Sequence, residues 1–434
     1  METHYDVIII GGRPAGASLA IRLGRQDLKV LLIERATFPS WPSVPSSPII
    51  HPGTMRLLDE LGLAEEEYTH PDGKVTHLIL DMMGKFQAVM PAALLQLDRN
   101  YFFGIDRNKF DTVLWQRAAS LPNVTACQNV SMLDAIRDVG GRVNGIRCRT
   151  DRGMEDVFSA GLVVGADGRF SIAAHKFGAQ VLEEMNEYAS STYHAEWEGV
   201  PKHSAVYPHA FTIYQLEDHY TFLCIPIDTG KYIVASNLRP DHTRFQGNLE
   251  ERYEQAIRSV PPLCERLKTA RRVTPVVGVR RVENGYRQAY GDGWALVGDA
   301  FHYESPLDGQ GFYNALLASA FLAEAIGQWR EGKPWLQAGS EYQQRFYDST
   351  HAMLKQTINR LQQDLYTSPP PFIVNTLMRW MLTDPLYQKQ FLRYLSRALD
   401  PETFSFGPSL DPVLRGMLRD ARRVFSHTSA NGRR

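Results

Sequence analysis

The sequence predicts an α/β protein with a parallel sheet, an inserted and mostly antiparallel sheet, and a helical C-terminal segment. A continuous β-branched run at residues 7–10 has the composition of a buried parallel strand. Residues 185–285 change to alternating, aromatic-rich segments that are typical of antiparallel strands. Residues 333–434 have helical composition interrupted by prolines. Together these observations predict a discontinuous arrangement of domains.

The N-terminal elements follow the order strand, helix, strand. Residues 14–25 have helical character and residues 28–33 form a second buried strand, which gives a βαβ unit of the usual size. The turn between the first strand and the helix consists of Gly11, Gly12, Arg13, Pro14, Ala15 and Gly16. Backbone N–H groups and the positive end of the helix dipole favour a pyrophosphate there. We therefore predict a Rossmann-type dinucleotide site, in which an arginine replaces the usual middle glycine.

An acidic residue marks the end of the second strand. Glu34 lies about twenty residues after the glycine turn, where a carboxylate can accept hydrogen bonds from a ribose diol. Its charge disfavours a 2′-phosphate, so the site suits FAD or NAD better than NADP. Arg35 follows it and belongs to the predicted cofactor site.

The remaining elements divide the chain into predicted domains. Helices are expected at residues 54–62, 108–120 and 311–329, and buried strands at 161–165 and 294–297. The prediction is a dinucleotide-binding domain in two parts, a substrate domain and a C-terminal helical segment. Their boundaries are residues 1–184 and 286–332 for the two parts, 185–285 for the substrate domain and 333–434 for the helical segment.

Composition excludes several classes of function. The chain has 434 residues with 47 Lys and Arg against 48 Asp and Glu, and this balance argues against a nucleic-acid partner. The four cysteines are scattered without a CxxC pair, so neither a metal site nor a disulfide framework is predicted. We find no signal peptide and no apolar run long enough to span a bilayer. The expectation is a soluble, cytoplasmic protein.

Three later blocks carry further motifs. Residues 106–114 open a helix, residues 163–168 end a strand with Asp167-Gly168, and residues 294–302 precede Pro306 and the Gly309-Gln310-Gly311 turn. With the N-terminal turn, these blocks resemble the FAD-dependent oxidoreductases of the aromatic-hydroxylase (group A flavin monooxygenase) superfamily. That superfamily also contains geranylgeranyl-type reductases and flavin-dependent halogenases. The resemblance runs over roughly residues 4 to 330.

The resemblance implies roles for individual residues around a non-covalently bound FAD. It places Arg107 on the pyrophosphate, Asp167 and Gly168 near the ribityl and pyrophosphate region, and Asp299 on a ribityl hydroxyl. The strand that contains Val130 would contact the adenine. The helix that begins at the Gly309-Gln310-Gly311 turn would direct its N-terminus at the flavin pyrimidine and stabilise reduced flavin. The predicted residues of this turn are Pro306, Gly309, Gln310, Gly311 and Phe312.

Two reactions are compatible with the resemblance. In a monooxygenase, NAD(P)H binds transiently and reduces FAD, and O2 forms a C4a-hydroperoxide that hydroxylates or epoxidises an apolar or aromatic small molecule. In a reductase or dehydrogenase of the geranylgeranyl type, flavin N5 exchanges hydride with the substrate. His302 fits the monooxygenase pattern, whereas Ser319 fits the reductase and halogenase branch. We favour the monooxygenase. A halogenase is disfavoured because the Trp-x-Trp-x-Ile-Pro motif is missing, and a non-enzymatic flavin sensor is a minor alternative.

Candidate side chains outside the cofactor motifs are few. His51, in the Pro- and Ser-rich loop, and His302 are the candidate catalytic residues. Tyr193, Tyr214 and Phe222 lie in the predicted substrate sheet and are the candidate substrate contacts. Aromatic side chains at these positions suit a bulky apolar or aromatic substrate.

Overall fold

The computed structural model describes residues 4–82, 84–150, 153–216, 219–242, 245–405 and 410–431. Within these residues the strands are β1 (His4–Ile10), β2 (Val30–Glu34), β3 (Ile49–Ile50), β4 (Lys74–Val75), β5 (His77–Met82), β6 (Phe86–Pro91), β7 (Phe102–Gly104), β8 (Val124–Gln128), β9 (Ser131–Arg137), β10 (Val143–Arg149), β11 (Glu155–Gly165), β12 (Val181–Glu184), β13 (Ser190–Glu198), β14 (Ala210–Gln215), β15 (Tyr220–Asp228), β16 (Lys231–Leu238), β17 (Arg271–Arg272), β18 (Val277–Val282), β19 (Gly285–Arg287), β20 (Tyr290–Gly291), β21 (Trp294–Leu296) and β22 (His302–Tyr303).

The α-helices in the same residues are α1 (Pro14–Gly24), α2 (Pro52–Glu60), α3 (Glu65–Tyr68), α4 (Arg107–Ala119), α5 (Ile172–Phe177), α6 (Leu249–Arg258), α7 (Pro261–Leu267), α8 (Gly311–Arg330), α9 (Trp335–Leu361), α10 (Pro371–Ile373), α11 (Arg379–Leu382), α12 (Pro385–Leu395) and α13 (Leu410–Asn431). In the part of the chain described, none of the helices is both long and apolar enough to cross a membrane.

The first of two units contains the parallel sheet. It consists of Met1–Thr69, Ile105–Ala189 and Val282–Lys355. Its strands follow the order β20-β21-β11-β1-β2-β8, in which β21, β11, β1, β2 and β8 are parallel neighbours. The hairpin of β9 and β10 adds to β11 in antiparallel fashion. The apolar run of β1 is buried from Val7 to Ile10, as expected of a central parallel strand.

Two glycines allow the turn after β1 to close. Gly11 has φ +105°, a conformation that strongly favours glycine. A Cβ atom on Gly16 would overlap the carbonyl oxygen of Gly11. Helix α1 can therefore start directly above the end of β1 and pack against α8. This arrangement matches the predicted βαβ unit.

The second unit contains the mostly antiparallel sheet. It consists of His70–Gly104, Ser190–Arg281 and Gln356–Arg434. The strand order is β17-β13-β16-β15-β14-β5-β6, with β18 beside β13, and β14 and β5 are the parallel pair. One face of the sheet forms an apolar core with residues of α6 and α7. The predicted α/β class, inserted sheet and helical C-terminal region are thus present.

The boundaries of the units differ from the predicted domains. Residues 70–104, predicted within the first domain, belong to the second unit because β5 pairs with β14 and β6 pairs with β5. Residues 333–355, predicted within the C-terminal segment, belong to the first unit. Sequence periodicity identifies strands, but the partner of a strand more than a hundred residues away depends on tertiary packing.

Candidate cofactor site

A cavity opens on the first unit. Several separate segments contribute to its wall, among them the start of α1, the loop before β3, the end of β11 and the start of α8. The lining residues are Arg13, Pro14, Ala15, Pro42, Val44, Pro45, Ser46, Ser47, Arg107, Ala166, Gly168, Arg169, Asp299, Glu304, Ser305, Pro306, Gly311, Phe312 and Ala315.

Half of the predicted cofactor residues line this cavity, and the other half are not part of its lining. The first group is Arg13, Pro14, Ala15, Arg107, Gly168, Asp299, Pro306, Gly311 and Phe312. The second group is Gly11, Gly12, Gly16, Glu34, Arg35, Val130, Asp167, Gly309 and Gln310. Glycines of the second group shape the turns, and the contacts of its other members are described below.

Glu34 holds the glycine turn. Its buried carboxylate accepts hydrogen bonds from the backbone N–H of Gly12 at 2.8 Å and of Ala36 at 3.0 Å. Each carboxylate oxygen can accept a second bond, so a ribose diol remains a compatible partner. The neighbouring Arg35 is exposed and donates to the hydroxyl of Ser43. Val130 is buried, and its N–H donates to the carbonyl of Glu34.

Arg13, at the position usually occupied by glycine, folds against the neighbouring loop. Its guanidinium donates to the Asp111 carboxylate at 2.5 Å, to both oxygens of Ser40 and to the carbonyl of Trp41. It also lies 5.5 Å from the centre of the Phe38 ring. These contacts fix the side chain at the edge of the cavity, so an arginine is accommodated where a small residue is usual.

Arg107 shares the same carboxylate. Its Nε and Nη2 donate to the two oxygens of Asp111 at 2.9 and 2.7 Å, and Nη1 donates to the Ser46 hydroxyl at 2.6 Å. The guanidinium also lies over the Phe312 ring. Because two cations share one fully buried anion, the cluster of Arg13, Arg107 and Asp111 keeps a net charge of +1, which suits a pyrophosphate. Asp111 is a residue that the sequence analysis missed. Its position four residues after Arg107 on a predicted helix could have indicated the ion pair.

The Asp167-Gly168 pair presents backbone to the cavity. The Asp167 carboxylate accepts hydrogen bonds from the Ser171 hydroxyl at 2.5 Å and from the N–H of Ala173 at 3.0 Å. It therefore supports the first turn of α5, whose N-cap is Ser171. Gly168 has φ +83°, and a Cβ atom there would meet nothing within 4 Å. The side chain that reaches the cavity from this segment is that of Arg169, which the sequence analysis missed.

Asp299 and Arg169 form a loose ion pair in the wall. The Arg169 Nη2 and Asp299 Oδ2 atoms are 3.7 Å apart, and the same Nη2 donates to the carbonyl of Glu304 at 2.6 Å. Although 39% of the Asp299 side chain is exposed, that surface belongs to the cavity wall and not to an open face. Desolvation raises the pKa of Asp299, while Arg169 and His302 oppose this effect. The carboxylate is therefore costly to ionise until a hydrogen-bond donor joins it.

Replacing Asp299 with asparagine should stabilise the FAD-free protein at neutral pH. A raised folded-state pKa means that the ionised carboxylate destabilises the fold, and that this penalty grows as the pH rises above the ordinary value of 3.8. The melting temperature of Asp299→Asn should exceed that of the wild type near neutrality, and the gap should close in acid. A gap that is independent of pH would contradict this assignment.

The start of α8 leaves open space in front of it. A Cβ atom on Gly311, the first residue of the helix, would meet nothing within 4 Å. Phe312 packs edge-on against Phe110 with ring centres 5.2 Å apart, which fixes the first turn. The preceding Gln310 donates to the carbonyl of Asp308, and Gly309 has φ +67°. The positive end of a 20-residue helix thus faces a site without side-chain obstruction.

Neither candidate catalytic histidine lines the cavity. His51 precedes α2, is buried, and has its ring centre 5.4 Å from that of Tyr313. His302 is buried as well; its Nδ1 lies 3.1 Å from the carbonyl of Gly285, and its ring stacks on Tyr286 with centres 4.2 Å apart. Direct contact of either imidazole with a reacting atom is therefore not supported in the first unit.

The candidate substrate residues belong to the core of the second unit. Phe222 is fully buried and Tyr214 is 3% exposed, both in the cluster on the α6 and α7 face, and Tyr193 packs against the same cluster. The positions next to them, such as Ile213 and Leu223, point to the other face of the sheet. The packed core occupies the face of Tyr214 and Phe222, which does not favour their interpretation as substrate contacts, whereas the half-buried Tyr193 also lines a small cavity of the second unit.

Comparisons with known proteins show the family and the fold. A family described as FAD binding domain matches residues 4–345. The 1H-pyrrole-2-carbonyl-(peptidyl-carrier protein) chlorinase of Pseudomonas fluorescens is 25% identical over 356 residues, covering 75% of this chain and 77% of that protein. Ubiquinone hydroxylase UbiM of Neisseria meningitidis is 24% identical over 343 residues, covering 75% and 69%. The solved structure of the flavin-dependent brominase Bmp2 is similar in fold, with a TM-score of 0.75, 20% identity and coverage of 97% and 100%.

Proposed function

The chain belongs to the FAD binding domain family, and from that premise we propose that this FAD-dependent oxidoreductase is a monooxygenase. It would take electrons from a transiently bound NAD(P)H and hydroxylate or epoxidise an apolar or aromatic small molecule with O2. The observation that carries the proposal is the wall of this cavity, which combines the positively charged cluster of Arg13, Arg107 and Asp111 with an unobstructed helix start. Both features fit a large cofactor with a pyrophosphate and an electron-accepting ring.

The residues present fit FAD. The guanidinium groups of Arg107 and Arg13, which are bridged by the Asp111 carboxylate, would bind the pyrophosphate. The carboxylate of Asp299 would accept a hydrogen bond from a ribityl hydroxyl. That bond would offset the cost of ionising this desolvated carboxylate. The backbone at Gly311 would lie closest to the flavin, where the helix dipole favours negative charge.

The protein's own contribution to the reaction is binding, orientation and exclusion of water. When bound, FAD supplies the electron transfer and the activation of O2. Among the described residues that line the cavity there is no Cys, Lys or His, so the wall offers no strong nucleophile. This supports a reaction in which side chains position the partners and the cofactor reacts.

Halogenation is the second candidate function. It is favoured by the names of two comparison proteins, a chlorinase and a brominase. It is opposed by the missing Trp-x-Trp-x-Ile-Pro motif and by the lack of a lysine in the described wall of the cavity. We therefore rank oxygen transfer first and include bromide in the test, so that halogenation would also be detected.

The test uses FAD-loaded enzyme, NADH or NADPH, and a panel of phenols, indoles and alkenes under ¹⁸O2 with bromide present. Mass spectrometry should find ¹⁸O in a product, and no product should form without oxygen. A brominated product that requires O2 would establish the halogenase instead. Reduction or desaturation of a panel member without oxygen would establish the reductase alternative. If neither nicotinamide nor any panel member reduces the bound FAD, the non-enzymatic flavin sensor would be favoured.

A further inference from the structure

A buried carboxylate in the wall of the cavity faces a buried imidazole that lies behind it. Glu304 and His302 have side chains that are 7% and 1% exposed, and the distance from Glu304 Oε2 to His302 Nε2 is 3.6 Å. Both atoms lack a hydrogen-bond partner among the described residues. Since an unmet polar atom in the interior is costly, each atom is the natural partner of the other.

Glu304 connects this pair to the cofactor site. Its Oε1 accepts a hydrogen bond from Asn314 Nδ2 at 2.7 Å, and Asn314 lies in the first turn of α8, three residues after Gly311. The backbone carbonyl of Glu304 accepts the hydrogen bond from Arg169, and Glu304 also lines the cavity. A charge on this carboxylate therefore lies close to the helix start that faces the cavity.

His302 is fixed with its Nε2 toward the carboxylate. The Gly285 carbonyl can only accept a hydrogen bond, so Nδ1 of His302 carries a proton. Stacking on Tyr286 and an edge contact with Phe346 hold the ring plane. A second proton, on Nε2, would face Glu304 and offset its charge. The pair lies in an environment where water does not screen its charge.

We propose that Glu304 and His302 form a pair of positioning residues that sets the charge behind the bound flavin and thereby its reduction potential. This rests on the placement of FAD in the cavity proposed above. An ionised Glu304 makes the addition of electrons to FAD less favourable, and a protonated His302 offsets that effect. The other charged groups that line the same cavity are Arg13, Arg107, Arg169 and Asp299.

The decisive variant is Glu304→Gln, which removes the charge while its amide can still accept from Asn314. We expect the midpoint potential of bound FAD, measured by dye-coupled reduction, to be higher than in the wild type. The matched control is Glu324→Gln, which removes an exposed carboxylate on α8 that pairs with Arg345. Its potential should equal that of the wild type. Equal potentials for Glu304→Gln and the wild type would overturn the proposal.

A second variant tests whether the two residues act together. His302→Gln should shift the potential in the wild-type background, because Glu304 loses the imidazole that faces its Oε2. In the Glu304→Gln background the same change should have little effect. Additive effects would also overturn the pair. If the purified wild type binds no FAD, the proposed site fails; if FAD occupancy is full in every variant and the potentials coincide, only the pair fails.

Discussion

Replacing Arg107 with methionine is expected to weaken FAD binding by about 10- to 100-fold while the first unit stays folded. Hydrogen bonds to charged groups contribute roughly 1.5–3 kcal/mol, and 1.4 kcal/mol corresponds to a factor of ten in affinity. The variant removes one of the two cations that we assign to the pyrophosphate. Asp111 keeps its bond to Arg13, so the buried carboxylate is not left alone. Flavin fluorescence titration of the FAD-free protein gives the dissociation constant.

The matched control for this prediction lies on the same helix. Arg117 is near the C-terminal end of α4 and pairs with a partly exposed Glu67, outside the cavity wall. Arg117→Met removes the same type of side chain and should leave FAD affinity within about twofold, as expected of a surface ion pair. Equal affinities for Arg107→Met and the wild type would show that the pyrophosphate is held elsewhere.

Replacing Phe222 with alanine is expected to lower the free energy of unfolding by about 3–5 kcal/mol, the usual cost of this truncation in a packed core. The ring is fully buried, and it meets Tyr220 edge-on with centres 5.9 Å apart. Urea denaturation followed by fluorescence measures the loss. If Phe222 were mainly a substrate contact, the variant would keep its stability and raise KM instead.

An exposed phenylalanine in the same unit provides the control. Phe372 is 67% exposed, so Phe372→Ala should change the free energy of unfolding by less than about 1 kcal/mol. Similar losses for both variants would mean that the core cluster does not depend on Phe222. The comparison separates burial from residue type, since both substitutions remove the same side chain.

Local sequence rules predicted the framework of the first unit. The β-branched run of residues 7–10 became a fully buried strand, and the helix predicted at residues 311–329 runs from Gly311 to Arg330. The glycines and Glu34 lie together because a strand, a tight turn and a helix leave few geometric choices. The cavity then brings residues 13–15 together with Arg107 and Asp299, as the family resemblance implied.

Long-range pairing and the direction of side chains were harder to predict. Nothing near residues 77–82 indicates that this strand pairs with β14, because the partner is far away in the sequence. Strand alternation shows that Tyr214 and Phe222 share a face with the core, but not which face receives the helices. Arg169 and Glu304 belong to no periodic pattern, so their place in the cavity wall emerged only from the fold.

The discontinuity of the first unit constrains how the protein is made. β1 pairs with β2 almost at once, but its other neighbour, β11, ends at Gly165, and β21 and α8 come later still. A nascent chain on the ribosome therefore exposes one edge of its first strand until more than a hundred further residues have emerged. Because the cavity wall includes Ala315, cofactor loading has to wait until most of the chain has been synthesised. Flavin supply during expression would then act on nearly complete chains, and not on early intermediates.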